Sequence, residues 1–353
     1  MNKVGIITFC DNTNYGSYLQ TYALYKAIEE LGLSVELIDY RKDVPDFERV
    51  SIKGLQRIIK QFGWEKGLRT ANNIYKMQRE FDKMIANNMK TSRRFDKNSI
   101  RNCRGYSTYV VGSDLVWDVR YAKDYTYMLD FVKDDSRKIS YAASYGYERI
   151  PEEEREIFIA NLSSFAGISV REINAKNEIC NLLGRNIYHV CDPTMLLSND
   201  FWKALVGNRI IPYDYAFVYL PDPKQEILKE AKRYSRKHGI KTYFVDKSDY
   251  SSCPWNPREF LNLIYYSNKV FTASYHGVLF SLYFEKELSY IKGNPSNRLD
   301  TISKILDIET FDMHSKDYNT ENTIDYISEK KLEEEFRQQS RSILREMLID
   351  DKL

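Results

Sequence analysis

Short apolar runs alternate with amphipathic stretches along most of the chain. Val4–Phe9 is an apolar run that stops at a polar, Gly-bearing segment, and a helical period of apolar residues then extends from about Leu19 to Gly32. Ser34–Tyr40 predicts the next strand. A strand, a helix and a second strand in this order form a β-α-β unit, whose crossover favours a parallel sheet covered on both faces.

The same alternation resumes after a charged helical region and restarts after a polar linker. Helical spacing and many charges predict an inserted helical subdomain over about residues 50–104, and Pro, Asn, Asp and Gly mark a linker near residues 192–213. Eight further strands are predicted, with helices between most of them: Tyr109–Val111, Lys138–Ala143, Ile168–Val170, Ile187–Val190, Ala216–Leu220, Thr242–Val245, Val270–Ala273 and Leu288–Ile291.

This pattern predicts an α/β protein with two Rossmann-like domains and an interdomain cleft. The N-terminal domain is expected over residues 1–195, with the helical insertion inside it, and the C-terminal domain over residues 196–310. Residues 311–353 are expected to form a helical tail. Its charge pairs at i,i+4 indicate a surface helix over Glu329–Met347 that packs back on the first domain.

Length and charge narrow the classes of protein that fit this pattern. At about 150 residues per domain, 353 residues suit two domains with separate cores. The chain has 52 Lys+Arg against 50 Asp+Glu, a formal net charge of +2, and so lacks the general basic field of nucleic-acid-binding proteins. Nucleic acid is therefore not an expected partner, and any anion site must be local.

Cysteine spacing and hydropathy favour a cytoplasmic protein without a metal centre. The 5 cysteines are far apart and lack a CxxC pair, which disfavours a disulfide framework and a zinc site. Around the candidate histidine discussed below, His276, no second His, Cys or carboxylate has ligand spacing, so no metal is expected. The N-terminal apolar run is too short for a signal peptide, and no apolar stretch reaches the ~18 residues of a membrane span.

Loops that directly follow strands are the first candidates for a ligand site, because ligands bind at the carboxyl ends of parallel strands. The loop Asn12–Gln20 contains Gly16, which lets the backbone approach a ligand, and brings the amides of Asn14 and Gln20 to a helix N-terminus. It lacks GxGxxG, the dinucleotide fingerprint, and helix capping by Asn14 or Ser17 is the alternative interpretation. Asp114 in GSDLVW is suited to accept a proton, bind a sugar hydroxyl or cap a turn.

Two further strand-end residues suit an anionic ligand. Arg171 lies between a strand and a helix, where a guanidinium can hold carboxylate or phosphate, and an ordinary ion pair is an equal alternative. His276 opens a helix in VFTASYHGVLFSLYF, where it would meet an anion or exchange protons near neutral pH. A structural role for His276 is as well supported by the residues alone. Ser144–Gly146 in YAASYG has the same ambiguity as Asp114.

A set of short motifs extends from about residue 4 to about residue 305. It comprises NYGSYLQTYAL, VVGSDLVW, YAASYG, ISVRE, VCDPTMLL, NPREFLNLIYYSNKVFTASYHGVLFSLYFEKEL and SNRLDTI. In this order the motifs resemble the polysaccharide pyruvyl transferase family. The resemblance implies a fold similar to the GT-B glycosyltransferases, phosphoenolpyruvate as co-substrate, no cofactor, and a sugar of a cell-surface polysaccharide or its lipid-linked repeat unit as acceptor. The product would be a pyruvate ketal.

The same resemblance implies a role for individual residues. The first domain would be the acceptor side and the second the donor side. Catalysis would fall to His276, donor binding to Arg171, His276, Arg298 and Ser274, and acceptor binding to Asn14, Gly16, Gln20 and Asp114.

Two other functions remain open at this stage. One is a nucleotide-sugar-dependent glycosyltransferase of GT-B type, and the other is a non-catalytic glycan-binding assembly partner. The predicted insertion bears on location, because its basic residues would suit a membrane surface at the inner face or an acidic glycan, although a solvated helix face is favoured. The 28 Tyr suit sugar stacking as well as an ordinary core.

Overall fold

The chain forms two compact units. The computed structural model describes residues 3–10, 13–41, 52–122, 124–133, 136–221, 224–245, 250–292 and 297–349. Unit 1 comprises Met1–Val44, Met84–Leu197 and Glu333–Leu353, and unit 2 comprises Pro45–Lys83 and Ser198–Leu332. Asn12, the first two residues of the predicted insertion and the last four of the predicted tail lie outside the described residues.

The described part of the chain contains ten strands and twelve α-helices. The strands are β1 (Lys3–Ile7), β2 (Ser34–Leu37), β3 (Thr108–Val111), β4 (Arg137–Ala143), β5 (Gly167–Val170), β6 (Tyr188–His189), β7 (Tyr215–Tyr219), β8 (Lys241–Val245), β9 (Lys269–Thr272) and β10 (Glu287–Tyr290). The helices are α1 (Tyr15–Glu30), α2 (Ile52–Phe62), α3 (Trp64–Asn88), α4 (Val119–Ala122), α5 (Glu152–Leu162), α6 (Ile173–Leu183), α7 (Asn199–Ala204), α8 (Gln225–Lys237), α9 (Pro257–Tyr265), α10 (Tyr275–Tyr283), α11 (Asn297–Ile305) and α12 (Tyr326–Ile349). Short 3-10 turns lie at Ser99–Asn102, Thr126–Met128, Pro193–Leu196 and Glu309–Phe311.

Unit 1 is built on a six-stranded sheet in the order β2-β1-β3-β4-β5-β6. Every neighbouring pair is parallel. Strands β1, β3 and β5 are almost wholly buried, as expected when helices cover both faces of a parallel sheet. Their short apolar sequences therefore reflect burial on both sides.

Unit 2 is built on a four-stranded sheet in the order β8-β7-β9-β10, again parallel throughout. Strands β7 and β9 at its centre are fully buried. The α/β class with two parallel-sheet domains, predicted from the alternation of the sequence, is confirmed. None of the helices described here combines the length and the apolar character needed to cross a membrane.

The helical insertion is divided differently from the sequence prediction. Residues 45–83 group with unit 2, whereas the rest of the predicted insertion groups with unit 1. Ile58, Ala71 and Ile74 form a small buried cluster against which Tyr250 of unit 2 packs. Tyr250 is far from these three residues in the sequence, so helical periodicity alone could not assign the insertion to a domain.

Two other segments also differ from the predicted division. The linker near residues 192–213 contains a 3-10 turn and helix α7, whose Trp202 is fully buried, so this stretch is part of the folded core. The predicted tail is shared, because residues up to Leu332 group with unit 2 and Glu333 onward with unit 1. Trp202 lies among polar residues in the sequence, and for this reason the composition of the stretch predicted a linker.

Most tyrosines serve the core. Of the 28 in the sequence, fifteen are buried among those whose exposure the structure describes. Several direct their hydroxyl at a carboxylate, as Tyr145 does to Glu178 at 2.8 Å and Tyr40 to Asp124 at 2.9 Å. Burial raises the pKa of Tyr145 and of Tyr40 above the usual range. These rings are therefore structural, which reduces the number available to stack on a sugar.

Candidate functional site

Each sheet has one topological switch point, where connections leave neighbouring strands in opposite directions. In unit 1 it lies between β1 and β3, and in unit 2 between β7 and β9. Ligands of open parallel sheets bind beyond the carboxyl ends of the strands at such a position. We call the carboxyl ends of β1 and β3 the first switch point and those of β7 and β9 the second switch point.

A threonine hydroxyl joins the two strand ends at the first switch point. Thr8, directly after β1, donates to the carbonyl oxygen of Ser113, the second residue after β3, at 2.8 Å. The amide nitrogen of Gln20 donates to the same threonine oxygen at 3.1 Å. Gly112 fits beside it because a Cβ there would lie 2.8 Å from the Thr8 Cβ. Gln20 is fully buried and its amide secures this joint.

Asn14 begins helix α1 as its N-cap. Its side-chain oxygen accepts hydrogen bonds from the backbone nitrogens of Gly16 at 2.9 Å and Ser17 at 3.3 Å, which satisfies backbone donors that the first turn would otherwise expose. The capping interpretation of Asn14 is thus confirmed, while its role in acceptor binding stays a prediction. Asn14 itself is exposed and Gly16 is buried.

Asp114 lies at the centre of the first switch point in a strained backbone conformation. Its φ is +79°, a left-handed value that non-glycine residues adopt rarely. One carboxylate oxygen accepts the hydroxyl of Ser17 at 2.7 Å, and the other accepts the backbone nitrogen of Leu115 at 3.0 Å. The strained backbone and two donors therefore fix this carboxylate at the end of β3, next to the start of α1.

The loop after β4 continues this edge of the sheet. The end of β4 that leads into this loop is irregular, because β4 and β5 shift register between Ser140 and Ala143 and Ala142 has a φ of +54°. The backbone nitrogen of Ser144 donates to the Asp114 carbonyl oxygen at 3.1 Å. Within the part of the chain that the structure describes, the buried hydroxyl of Ser144 has no hydrogen-bond partner. A buried hydroxyl of this kind is suited to meet an oxygen of a ligand.

Arg171, at the end of β5, forms a buried ion-pair cluster. Its side chain is 2% exposed, and it donates to Asp192 at 2.8 Å and to Glu172 at 3.2 Å. Such a pair is strongly destabilising to break, because one charge would be left unpaired in the interior. The sequence left two roles open for Arg171, anion binding and an ordinary ion pair, and the structure shows the ion pair. Its donor-binding role stays a prediction.

Asp192 was not singled out by the sequence, although it connects several of these groups. It is fully buried, and one of its oxygens accepts the backbone nitrogen and the hydroxyl of Thr194 at 3.0 and 2.8 Å. Its other oxygen lies 3.4 Å from the Ser113 hydroxyl. The sequence signal that could have identified Asp192 is its position after a strand and directly before Pro193, because an Asp at such a place caps a turn.

The second switch point is joined by a threonine as well. Thr272, the last residue of β9, donates its hydroxyl to the carbonyl oxygen of Tyr219, the last residue of β7, at 2.7 Å. The Thr272 hydroxyl oxygen in turn accepts the backbone nitrogen of Ser274 at 3.0 Å. Ser274 is the N-cap of α10 and accepts the backbone nitrogen of Gly277 at 3.2 Å. The donor-site candidate Ser274 therefore has a demonstrated role in starting the helix.

His276 lies in the first turn of α10, at the second switch point. It is buried, with Tyr275 packed edge-on against its ring at 5.4 Å. The next residue must be glycine, because a Cβ at Gly277 would lie 2.5 Å from the Thr272 hydroxyl oxygen. The turn that carries His276 is thus held against the strand end by close packing and by the Ser274 cap.

Two positively charged side chains come after β10, the strand next to β9. Arg298 lies in the first turn of α11, and Lys292 is the second residue after β10. Lys292 pairs with Asp300 at 2.8 Å and lies 3.6 Å from Asp312. Burial lowers the pKa of Lys292, but its hydrogen bond to Asp300 and the nearby carboxylates raise it further, so the net shift is upward. Lys292 was not singled out by the sequence, although its strand-end position is the same signal that marks Arg171.

The described residues also include possible metal ligands and cysteine thiols. Among them, no group of three or more His, Cys, Asp and Glu side chains is arranged to hold a metal ion. Burial raises the pKa of Cys103 to about 11 and that of Cys191 to about 12, so these two remain protonated thiols near neutral pH.

Comparison with solved structures gives wide but distant similarity. UDP-GlcNAc 2-epimerase from Neisseria meningitidis bound to UDP-GlcNAc is 8% identical with a TM-score of 0.50, covering 99% of this chain and 100% of that one. A putative UDP-N-acetylglucosamine 2-epimerase from Listeria monocytogenes is 12% identical with a TM-score of 0.49, covering 98% and 90%. Arabidopsis thaliana UGT89C1 complexed with UDP-L-rhamnose is 9% identical with a TM-score of 0.45, covering 98% and 93%. At 8% identity, the similarity to the Neisseria meningitidis enzyme supports the fold alone.

Comparison of sequences is more specific. No protein with a curated description matches the chain. The family model for polysaccharide pyruvyl transferase matches residues 14–291, a stretch that includes the second switch point and every described strand except β1. The chain therefore belongs to the polysaccharide pyruvyl transferase family.

Proposed function

We propose that this protein transfers the pyruvate group of phosphoenolpyruvate to a sugar of a cell-surface polysaccharide or its lipid-linked repeat unit. Family membership supports polysaccharide pyruvylation in general. The observation that carries the finer proposal is His276, buried in a helix's first turn at the second switch point. A ligand with phosphate and carboxylate groups suits that place, because a helix N-terminus offers backbone donors to an anion.

The reaction needs an acid, a base and donors for a highly charged ligand. A proton is added to C3 of phosphoenolpyruvate, and C2 becomes oxocarbenium-like. One sugar hydroxyl attacks C2, a second hydroxyl displaces phosphate and closes the ketal ring, and the two hydroxyl protons leave with phosphate and with the base. We assign the proton transfer at C3 to His276.

The donor's charges require neighbours of opposite sign. Ser274 and His276 lie beyond β9, and Arg298 and Lys292 lie beyond the adjacent β10. We therefore propose that Arg298 holds phosphate or carboxylate at this edge of unit 2, while Lys292 stays paired with Asp300. For Arg171 we favour a positioning role, because two carboxylates already pair with its guanidinium.

We place the acceptor at the first switch point. Asp114 is held by Ser17 and by its strained backbone, and the Ser144 hydroxyl lies in the neighbouring loop. A carboxylate and hydroxyls are groups that bind sugar hydroxyls, so Asp114 is the candidate to hold the acceptor by hydrogen bonds. Asn14 and Gly16 at the start of α1 would line the same site, with Gln20 supporting it from below the surface.

The test uses purified protein with phosphoenolpyruvate and a pool of lipid-linked surface glycans. We expect phosphate release that depends on the acceptor, together with acid-labile pyruvate on the glycan. A nucleotide sugar that raises the melting temperature when phosphoenolpyruvate does not would favour a glycosyltransferase instead, because only a ligand of the native state stabilises it. Unchanged function after His276→Ala and Arg298→Ala would favour a non-catalytic glycan-binding protein.

A further inference from the structure

Exposed apolar and basic side chains lie together along α3 in unit 2. Trp64, Leu68 and Tyr75 are 71%, 40% and 51% exposed. They stand four and seven residues apart, and Arg79 follows four residues later, so all lie on one side of the helix. Arg69 and Lys76 flank this stripe and are exposed. We call these six residues the α3 surface.

The α3 surface is not required to hold the helix in place. The opposite side of α3 carries Ile74, Met77 and Phe81, all buried, and Ile74 belongs to the cluster that includes Ile58 and Ala71. The helix therefore already has an apolar inner face. Trp64 and Leu68 are additional apolar groups in contact with water, which indicates a function in binding.

Positive charge is concentrated here as well. Residues 57–79 contain a single acid, Glu65, and six basic residues, namely Arg57, Lys60, Lys66, Arg69, Lys76 and Arg79. This segment has a net charge of +5 in a chain with a total of +2, so the remainder is net negative. Within the described ranges, Arg69, Lys76 and Arg79 form no ion pair, and Arg79 lies 5.9 Å from the centre of the Tyr75 ring.

We propose that the α3 surface docks the protein on an anionic lipid bilayer, with the helix lying along the membrane surface. Trp and Tyr prefer the interface between water and lipid, and Lys and Arg extend their charges to the headgroups while their stems stay in apolar contact. An acidic glycan would attract the same charges and stack on the rings, but would gain nothing from an exposed Leu68. The inference rests on this surface and is independent of the proposed reaction.

Vesicle flotation tests the proposal with purified full-length protein. We expect binding to phosphatidylcholine vesicles that contain about 30% phosphatidylglycerol, and at least about tenfold weaker binding to phosphatidylcholine alone. About 0.5 M salt should release the charge-dependent part. Trp64→Ser with Leu68→Ser, and separately Arg69→Glu with Lys76→Glu and Arg79→Glu, should each lower binding by about tenfold or more while the melting temperature is retained.

A basic helix in the same unit provides the matched control. Lys229, Lys232 and Arg236 are exposed on α8, and changing all three to Glu alters the net charge by the same amount as the α3 triple variant. We expect this control to bind vesicles within about twofold of the wild type. An equal loss in both triple variants would overturn the proposal, since it would show a general charge effect.

Trp64 also reports its own environment. Trp117 and Trp202 are fully buried and Trp255 is half-buried, so a blue shift of fluorescence on adding anionic vesicles must come mainly from Trp64. Trp64→Phe should keep the binding and lose the shift. Absence of vesicle binding, or binding only to a soluble polyuronate that the α3 triple variant abolishes, would refute a membrane role and assign the surface to acidic glycan.

Discussion

The two switch points share their framework and differ in what they carry. In both, a threonine hydroxyl bonds the backbone carbonyl of the neighbouring strand end, from Thr8 to Ser113 in unit 1 and from Thr272 to Tyr219 in unit 2. In both, a glycine lies tightly against that threonine. Beyond this joint, the first switch point carries the Asp114 carboxylate, with the buried charges of Asp192 and Arg171 nearby along the sheet. The second carries a histidine at a helix start.

This difference shows how one framework can serve two ligands. The joint fixes the spacing of the central strands, so the residues just beyond it determine the chemistry. Carboxylate and hydroxyl groups suit neutral sugar hydroxyls, whereas a helix N-terminus with neighbouring cations suits an anion.

The largest expected effect is the loss of rate in His276→Ala. If the second switch point carries the proton transfer, kcat/KM for acceptor-dependent phosphate release should fall about a hundred- to ten-thousand-fold. His314→Ala is the control, because His314 is an exposed histidine of the same unit. A rate close to wild type in H276A would mean that the second switch point is structural and the comparison is mistaken.

The next largest effect is on the stability of unit 1. Asp192→Ala removes the main partner of the buried Arg171 guanidinium, and we expect a loss of about 3–5 kcal/mol in the free energy of unfolding. Urea denaturation measures it. Arg171→Met should show strong coupling to Asp192→Ala in a double-mutant cycle. If Arg171→Met left stability intact and abolished phosphoenolpyruvate binding, Arg171 would be a donor ligand after all.

Glycine variants test the shared framework. Gly112→Ala and Gly277→Ala each place a Cβ less than 3.0 Å from the threonine of their switch point, so each should cost about 1–3 kcal/mol in stability. Gly277→Ala should in addition lower the rate, because the turn that carries His276 must shift. Thermal unfolding and phosphate release, measured together, separate these effects. Full stability in both variants would show that the close packing is relaxed easily.

A smaller effect is expected at Asp114. Asp114→Asn keeps the shape but weakens the group that faces sugar hydroxyls, so the KM for the glycan should rise about tenfold while phosphoenolpyruvate affinity is unchanged. Steady-state kinetics with each substrate varied in turn measures both. Ser17→Ala, which removes only the Asp114 partner, should change the KM less. A selective loss of phosphoenolpyruvate affinity in D114N would reverse the assignment of the two switch points.

The smallest effect concerns a second buried histidine. His189 lies 3.1 Å from the carbonyl oxygen of Arg171, and burial lowers its pKa below the ordinary value near 6.5 although that bond partly opposes the shift. The unfolded chain therefore binds the proton more readily, and unit 1 should lose stability as the pH falls through about 6.5. His189→Gln should reduce this loss, as measured by melting temperature between about pH 7.5 and 5. An identical pH dependence in both proteins would exclude His189 as the cause.

Much of the fold was readable from the sequence, because strands buried on both faces appear as short apolar runs. Each of the ten predicted strands overlaps an observed one, and the fold class is confirmed. The order of strands in each sheet was not readable, since apolar runs do not record which strand lies beside which. The switch points therefore emerged only from the structure.

Residue types at strand ends were readable, whereas their partners were not. Asn14, Asp114 and His276 all lie in the loops or first turns that follow central strands. The pairing of Arg171 with Asp192, 21 positions away, depends on β5 and β6 lying side by side. The contact of Tyr250 with the inserted helices likewise depends on tertiary structure.

Helix α12 has a consequence for how the protein is made. Ser340 accepts the backbone nitrogen of Cys191 at 2.9 Å, Arg337 donates to the carbonyl oxygen of Met195 at 2.6 Å, and Met347 packs against Gly167. The sheet of unit 1 is synthesised first, yet these contacts form only after residues 198–332 have left the ribosome, on the order of ten seconds later. The sheet of unit 1 is thus translated first, but the unit is completed last. Until α12 packs on it, the surface that α12 covers stays exposed, and a chaperone would bind there during synthesis.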